Sequence, residues 1–137
     1  MVIYRELITP DGTKLVSHHR HDFVTHTDKN GKWYMIDGGI GNEYWRSSAH
    51  GDEFINEVKL SDSFDKVRCN FERYNMYSRS YVKLKDISDK WLQNIIDWFI
   101  EHNYANSWVF RLFIEEKLFR AENEIYIPEE ELYQLDF

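Results

Sequence analysis

The chain has 137 residues, of which 24 are acidic and 17 basic, and its formal net charge of −7 disfavours direct binding to nucleic acid, whose phosphates attract Lys and Arg. The single cysteine, Cys69, excludes an intramolecular disulfide and a thiolate zinc site. No apolar run approaches the roughly 20 residues that cross a bilayer, and the charged start of the chain predicts no signal peptide, so we expect a cytoplasmic protein.

The first 50 residues consist of short alternating segments separated by turns. The residues TPDGT at 9–13 and DKNG at 28–31 are typical of tight turns, because Pro presets φ and Gly accepts a positive φ. Alternation of side chains on either side of these turns predicts strands. We expect four of them, at about residues 2–8, 13–18, 22–27 and 32–37.

After residue 60 the apolar spacing changes to three and four residues, which is typical of helices. Ser61–Ser63 is a candidate N-cap, and Phe64, Val67, Phe71 and Tyr74 fall on one stripe of a first helix. On that helix Arg68, Arg73 and Arg79 alternate with acids and predict a solvated face.

Residues 81–84 predict a short extended link to two further helices. Ser88 should cap the second helix, which should end near His102–Asn103. Asn106–Ser107 should cap the third, whose apolar residues spread around most of its circumference, a pattern typical of a central or partner-covered helix. We therefore predict an α+β fold, with an N-terminal antiparallel β-meander packed on a C-terminal bundle of about three helices. We expect a single domain over 1–137, with 1–50 β-rich and 60–137 helical.

Two stretches resemble small uncharacterised proteins of tailed bacteriophages. Residues 11–26 read DGTKLVSHHRHDFVTH, residues 28–31 read DKNG and residues 34–39 read YMIDGG. Together they resemble a block "DGT…SxHRHDYVTHxDKNGxxYMVDGG" in that family, whose shorter relatives carry zinc-ribbon cysteines at the two turns. This chain has no thiol at either turn, so the resemblance implies that turn chemistry replaces the metal.

The second stretch, YVKLKDISDKWL at 81–92, is similar to a "YVKLKDMS" helical segment of longer phage proteins. The chain departs from the family pattern at residues 41–46 and between 50 and 80. The resemblance implies a phage accessory protein in the host cell cytoplasm, and it implies no reaction.

Four histidines, His18, His19, His21 and His26, lie within nine residues. On a strand, His19 and His21 would share one face, and such a pair is half of a metal site to which Asp22 or Asp37 could add a carboxylate. Because no third ligand is fixed, we predict no metal site and favour a structural role for these imidazoles. His19 and His21 remain weak metal candidates.

The residues 37–41, DGGIG, match neither a P-loop nor a dinucleotide fingerprint and predict a tight reversal. Tyr44, Trp45 and Arg46 follow it, and two rings with a guanidinium could stack on and clamp a nucleotide or a partner. The alternative is that Trp45 anchors the sheet and Arg46 is solvated.

The third helix and the tail are acidic. A rigid array of carboxylates could imitate nucleic-acid phosphates in a basic groove, or it could serve solubility alone. The candidate residues are Glu115, Glu116, Glu122 and Glu124, continuing into Glu129, Glu130 and Glu131.

These observations predict a non-enzymatic phage protein without a cofactor. Its first expected partner is a host protein with a basic surface, such as a CRISPR or restriction-type defence protein, bound through the acidic surface. The alternatives are a binder or sponge of a nucleotide immune signal at 38–46 and a His-dependent metal hydrolase at 18–26. We predict no membrane partner and leave homo-oligomerisation open.

Overall fold

The computed structural model describes residues 1–19, 21–41 and 44–129. The protein is α+β, with antiparallel strands in the N-terminal half followed by helices, which confirms the predicted class. The chain divides into two compact units, Met1–Phe71 and Glu72–Phe137. The single-domain organisation stays a prediction, and Glu130 and Glu131 of the predicted acidic tail lie outside the described residues.

The first unit is built from strands and one short helix. The elements are β1 Val2–Ile8, β2 Lys14–Val16, β3 Val24–Thr27, β4 Trp33–Asp37, β5 Arg46–Ser47, β6 Phe54–Lys59 and α1 Phe64–Asn70. The strands form two antiparallel sheets, with orders β2-β1-β6 and β3-β4-β5. All four predicted strands are present, and they are divided between the two sheets: β2 and β3 belong to different sheets, and β1 pairs with the distant β6.

Both predicted turns are confirmed. The Thr9 amide donates to the Thr13 carbonyl at 2.9 Å, and the Asp28 amide donates to the Lys32 carbonyl at 2.9 Å. Gly12 and Gly31 have φ values of +87° and +82°, a backbone conformation that a residue with a Cβ adopts only with strain. Local sequence therefore determines where these two hairpins reverse.

The core of the first unit joins side chains from both sheets. Leu7, Leu15, Tyr34 and Ile36 form a buried cluster, against which Val24 and Ile55 pack. Strand β1 is buried from Val2 to Leu7, charged residues included. This is why its sequence, VIYRELI, lacks the alternation of a half-exposed strand.

The predicted first helix is shorter than its apolar stripe suggested. Ser63 caps α1, with its hydroxyl accepting from the Lys66 amide at 3.4 Å, but the backbone leaves the helical conformation at Phe71 (φ −57°, ψ 136°). Tyr74 and Arg73 therefore lie outside α1, and placing Arg73 and Arg79 on a solvated helix face was wrong. Strand pairing overrides the helical spacing in this segment.

The second unit begins with a hairpin that the sequence did not predict. Its elements are β7 Glu72–Asn75, β8 Ser80–Lys83, a 3₁₀ turn Leu84–Asp86, α2 Asp89–Glu101 and α3 Trp108–Asn123. The side chain of Asn75 accepts from the amides of Tyr77 and Ser78 at 2.8 and 3.1 Å, and Arg79 takes a positive φ of 52°. Such Asx bonding, together with a residue in the left-handed region, reverses the chain.

The helix boundaries of the second unit are close to those predicted. The hydroxyl of Ser88 accepts from the Trp91 amide at 3.1 Å and that of Ser107 accepts from the Phe110 amide at 3.2 Å, which confirms both caps. Helix α2 ends at Glu101 with His102 as its C-cap, and Asn103 has a φ of 60°. Among the described residues, no helix is both long and apolar enough to span a bilayer.

Helix α3 is not apolar all round. Its buried side chains are Leu112, Phe113, Glu116 and Arg120, whereas Leu118 is 57% exposed. The Arg120 Nε donates to Glu116 Oε2 at 2.7 Å, and its two Nη atoms donate to Asp89 Oδ1 at 2.8 Å and to the Leu84 carbonyl at 3.1 Å. A buried charge network thus joins α3 to α2 and to the 3₁₀ turn.

Candidate functional site

His18, His19 and His21 lie between β2 and β3, outside either strand. The His18 amide donates to Asp22 Oδ2 at 2.9 Å, and the Ser17 hydroxyl donates to the Asp22 carbonyl at 2.7 Å. Because β2 ends at Val16 and β3 begins at Val24, His19 and His21 do not share a strand face, and that prediction was wrong. Both residues are exposed.

His26 lies on β3 and contacts the first turn. Its Nε2 is 2.9 Å from Asp11 Oδ2 and 3.3 Å from the Thr13 hydroxyl. Hydrogen bonds from Thr9, then His26 and Thr13, hold the pKa of Asp11 well below its ordinary value. Over residues 1–19, 21–41 and 44–129, no group of three or more His, Cys, Asp and Glu side chains is placed to hold a metal ion.

The glycine run after β4 is a close reversal whose amides bond within the fold. The Gly39 amide donates to the Ser17 hydroxyl at 2.9 Å and to the His19 carbonyl at 3.1 Å. The Gly41 amide donates to the Val2 carbonyl at 2.9 Å. A Cβ at Gly39 would collide with the Ser17 carbonyl. These amides are therefore occupied, as expected for a tight reversal and not for an anion-binding loop.

Trp45 rests on a buried arginine. The Arg5 guanidinium lies 4.3 Å from the centroid of the Trp45 ring and donates to the Gly38 carbonyl at 2.7 Å and to Glu57 Oε2 at 3.2 Å. Arg5 is 1% exposed, and a desolvated cation beneath a Trp ring contributes about 2 kcal/mol. The position of Trp45 is thus fixed from the core side.

Arg46 is held between a carboxylate and a ring. It pairs in register with Asp37 across β4 and β5, and its Nε lies 3.4 Å from Asp37 Oδ2. The Arg46 guanidinium is 5.7 Å from the centroid of the Phe23 ring. Asp37 Oδ1 is buried without a hydrogen-bond partner among the described residues, a rare arrangement in folded proteins.

These contacts define the aromatic–arginine cluster: His21, Phe23, Tyr44, Trp45 and Arg46. The rings of His21 and Tyr44 lie 5.9 Å apart. Phe23, Tyr44 and Trp45 are 49%, 41% and 38% exposed. Of the predicted residues, the structure therefore places His21 beside Tyr44 and Arg46 beside Phe23, and it sets Trp45, between Tyr44 and Arg46 in sequence, on Arg5. His19 contributes its backbone carbonyl beside the cluster, through the bond from Gly39.

The predicted acidic surface is smaller than expected. Glu115, Glu122 and Glu124 are exposed, but Glu116 is fully buried in its ion pair with Arg120. Placing Glu116 on the surface was wrong, because it occupies the core-facing side of α3. Glu129 lies 3.5 Å from Lys90 and is partly neutralised.

Sequence reasoning missed Arg5 and Phe23. A charged residue within the otherwise apolar run VIYRELI is a signal for a buried cation that needs partners, and it would have directed attention to Arg5. Phe23 gave no comparable signal, because an aromatic residue beside a strand is ordinary.

No known protein family, no curated protein and no solved structure matches this chain. The resemblance of residues 11–39 and 81–92 to tailed-phage proteins stays a prediction.

Proposed function

We propose that this protein acts by binding a partner protein, without catalysing a reaction, and that the aromatic–arginine cluster is its contact surface. The supporting observation is that Tyr44 and Trp45 are 41% and 38% exposed while Arg5 holds the Trp45 ring from the core side. A contact residue already held in place loses little entropy on association. Tyr, Trp and Arg are also the residues that dominate binding energies at protein interfaces.

The charge of the chain indicates a basic partner. The net charge is −7, and Glu115, Glu122 and Glu124 are exposed on and after α3. Complementary charge speeds encounter and disfavours acidic competitors. We therefore infer that the cluster supplies the short-range contacts and that the carboxylates supply the attraction.

The phage resemblance extends this proposal to a host partner. A CRISPR or restriction-type defence protein must present a basic surface to its nucleic acid, and exposed carboxylates could occupy that surface in place of phosphates. The binding would then take place in the host cell cytoplasm.

The two alternatives have weaker support. A nucleotide at residues 38–46 would lack the amides of Gly39 and Gly41, which donate within the fold. A hydrolase at residues 18–26 would require His19 and His21 to converge, and both are exposed in a loop.

The test is capture of host proteins by the immobilised full chain, followed by affinity measurement with the captured protein. Trp45→Ala and Tyr44→Ala should each weaken binding by about 30-fold, the effect of losing an interface hot spot. Phe54→Ala is the matched control, since Phe54 is an exposed aromatic residue (62%) on β6 of the same unit. Circular dichroism establishes that each variant is folded. Equal affinity of all three variants and the wild type would contradict the proposal.

A second experiment distinguishes the effect of the acidic surface on binding from the effect of overall net charge. The triple variant E115Q/E122Q/E124Q should bind the partner more slowly than the control variant D65N/D97N/E101Q. The control removes the same number of negative charges at other positions in the chain. If both triple variants slow binding equally, overall charge is responsible and the α3 carboxylates have no special role.

A further inference from the structure

A groove of about 510 Å³ opens on the second unit. The β7–β8 hairpin, the first half of α2 and residues 127–129 form its walls, and Tyr74, Tyr77, Trp91, Asn94 and Pro128 line it. Pockets for small ligands have this size and this mixture of ring surfaces with a few polar groups. The groove lies apart from the aromatic–arginine cluster in sequence and belongs to the other unit.

One wall of the groove is fixed to the start of α2. The Asp89 amide donates to the Ile127 carbonyl at 2.9 Å, and the Ile127 amide donates back to Asp89 Oδ1 at 3.3 Å. The same Oδ1 accepts from Arg120 at 2.8 Å. The segment that carries Pro128 is therefore tied to the buried charge network, and the groove is a built feature of the fold.

The charged residues that line the groove are neutralised in pairs, with one exception. Asp86 lies 3.1 Å from Lys85, and Lys90 lies 3.5 Å from Glu129. Arg73 also lines the groove, but within the described part of the chain its guanidinium has no carboxylate at ion-pair distance. Among the described residues that line the groove, this leaves Arg73 as the one positive charge without an ion-pair partner.

The surroundings of Arg73 are aromatic. Its guanidinium lies 5.7 Å from the centroid of the Phe99 ring and 5.4 Å from that of Phe113. Burial lowers the pKa of this guanidinium below its ordinary value, as expected where water has been removed and no anion takes its place. A half-buried cation of this kind is stabilised by any anion that reaches it.

We propose that this groove binds a small planar aromatic molecule that carries one anionic group, with Arg73 contacting the anion and the rings of Tyr77 and Trp91 contacting the planar part. Stacking on aromatic side chains is tolerant of ring identity, whereas a guanidinium pairs equally with a phosphate or a carboxylate. Two sources fit this chemistry, a nucleoside monophosphate and an aromatic carboxylate.

The test uses two matched ligand pairs with the full-length protein. Calorimetry compares AMP with adenosine, and indole-3-acetate with indole-3-acetamide. In at least one pair, the anionic member should bind at least ten times more tightly than the neutral member, and it should shift the indole N–H resonance of Trp91 in NMR spectra. An effect in the first pair indicates a nucleotide, and one in the second indicates a carboxylate. No binding in either pair, or equal binding of charged and neutral members, would overturn the proposal.

A variant assigns the effect to Arg73. Arg73→Met keeps most of the side-chain stem and should remove the preference for the anion, whereas Arg111→Met, on the exposed side of α3, should leave it unchanged. Equal loss in both variants would mean that overall charge, and not the groove, selects the anion. If near-UV circular dichroism shows that Arg73→Met does not fold, the measurements of the two ligand pairs with the wild-type protein test the proposal by themselves.

Discussion

Glu115 and Glu116 are adjacent in α3 and lie in opposite environments. Glu115 is exposed, whereas Glu116 is fully buried and accepts from Arg120 at 2.7 Å. A carboxylate on the buried side of a helix is tolerated only when a cation pairs with it. The same residue type thus serves the surface at one position and the interior at the next.

Removing the buried carboxylate should destabilise the second unit. Glu116→Ala leaves Arg120 with one anion fewer in the core and should lower the free energy of unfolding by about 3 kcal/mol. Glu115→Ala, one residue away, should change it by no more than about 0.5 kcal/mol. Urea unfolding monitored by circular dichroism measures both, and similar small losses would show that the buried pair has little effect on stability.

Glu53 should make the protein sensitive to acid. Burial alone would raise its pKa, but the amides of His50 and Gly51, with further hydrogen bonds, lower the pKa to about 2 from an ordinary value of 4.5. A carboxylate with a lowered folded-state pKa stabilises the fold above its ordinary pKa, and this stabilisation is lost as the pH falls towards the folded value.

The corresponding experiment compares Glu53→Gln with the wild type across pH. At pH 7 the variant should be less stable by about 1 kcal/mol, because its neutral amide is a weaker acceptor for the two backbone N–H groups. The difference should shrink as the pH falls from 4.5 to about 2. A difference that stays constant over this range would rule out a contribution from titration of Glu53.

At the scale of elements, the close approach of Gly38, which directly follows β4, to the backbone of Tyr44 and Trp45 helps to set the positions of these two residues. Gly38 has a φ of +83°, and a Cβ there would meet the backbone of Tyr44 and Trp45. Gly39 packs against the Ser17 backbone in the same way. The sequence predicted a reversal here but not its close approach to two other segments.

Adding one methyl group should distinguish a glycine in close backbone contact from a glycine in an open turn. Gly39→Ala forces the Ser17 backbone to move and should destabilise the first unit by about 3 kcal/mol, with weaker partner binding. Gly31→Ala, in an open turn with a φ of +82°, should cost only about 1 kcal/mol through backbone strain and should leave binding unchanged. Thermal unfolding of both variants checks this order, and a larger loss for Gly31→Ala would contradict it.

At the scale of the whole molecule, the net charge should affect the rate of association with a charged partner. The chain carries −7, and attraction between exposed charges is screened by salt. Raising the ionic strength from about 0.1 M to about 1 M shortens the Debye length from about 10 Å to about 3 Å.

Association with the proposed basic partner should therefore slow by at least about tenfold over this range, while dissociation changes less. Surface plasmon resonance with the captured partner separates the two rates. An association rate that does not respond to salt would contradict electrostatic attraction. It would not bear on the proposed contacts at the aromatic–arginine cluster.

The features that the sequence predicted correctly are those that depend on neighbouring residues. The turns at 9–13 and 28–31 depend on Pro, Asn and Gly in adjacent positions, and the caps Ser88 and Ser107 bond amides three residues away. The apolar face of α2 likewise follows from helical spacing. These interactions join residues that are close in sequence, so the local pattern suffices to predict them.

The tertiary structure alone decided the rest. Arg5 meets Glu57 across 52 residues, and Arg120 meets Asp89 across 31, and no local spacing encodes either pair. The same holds for the loop that separates His19 from any strand face, for the β7–β8 hairpin and for the unneutralised Arg73 in its groove. The amino-acid sequence by itself determined the class of fold, the turns and the helix caps. Long-range packing determined which charges are buried and which aromatic residues remain exposed, because the burial of a side chain depends on what the rest of the chain places against it.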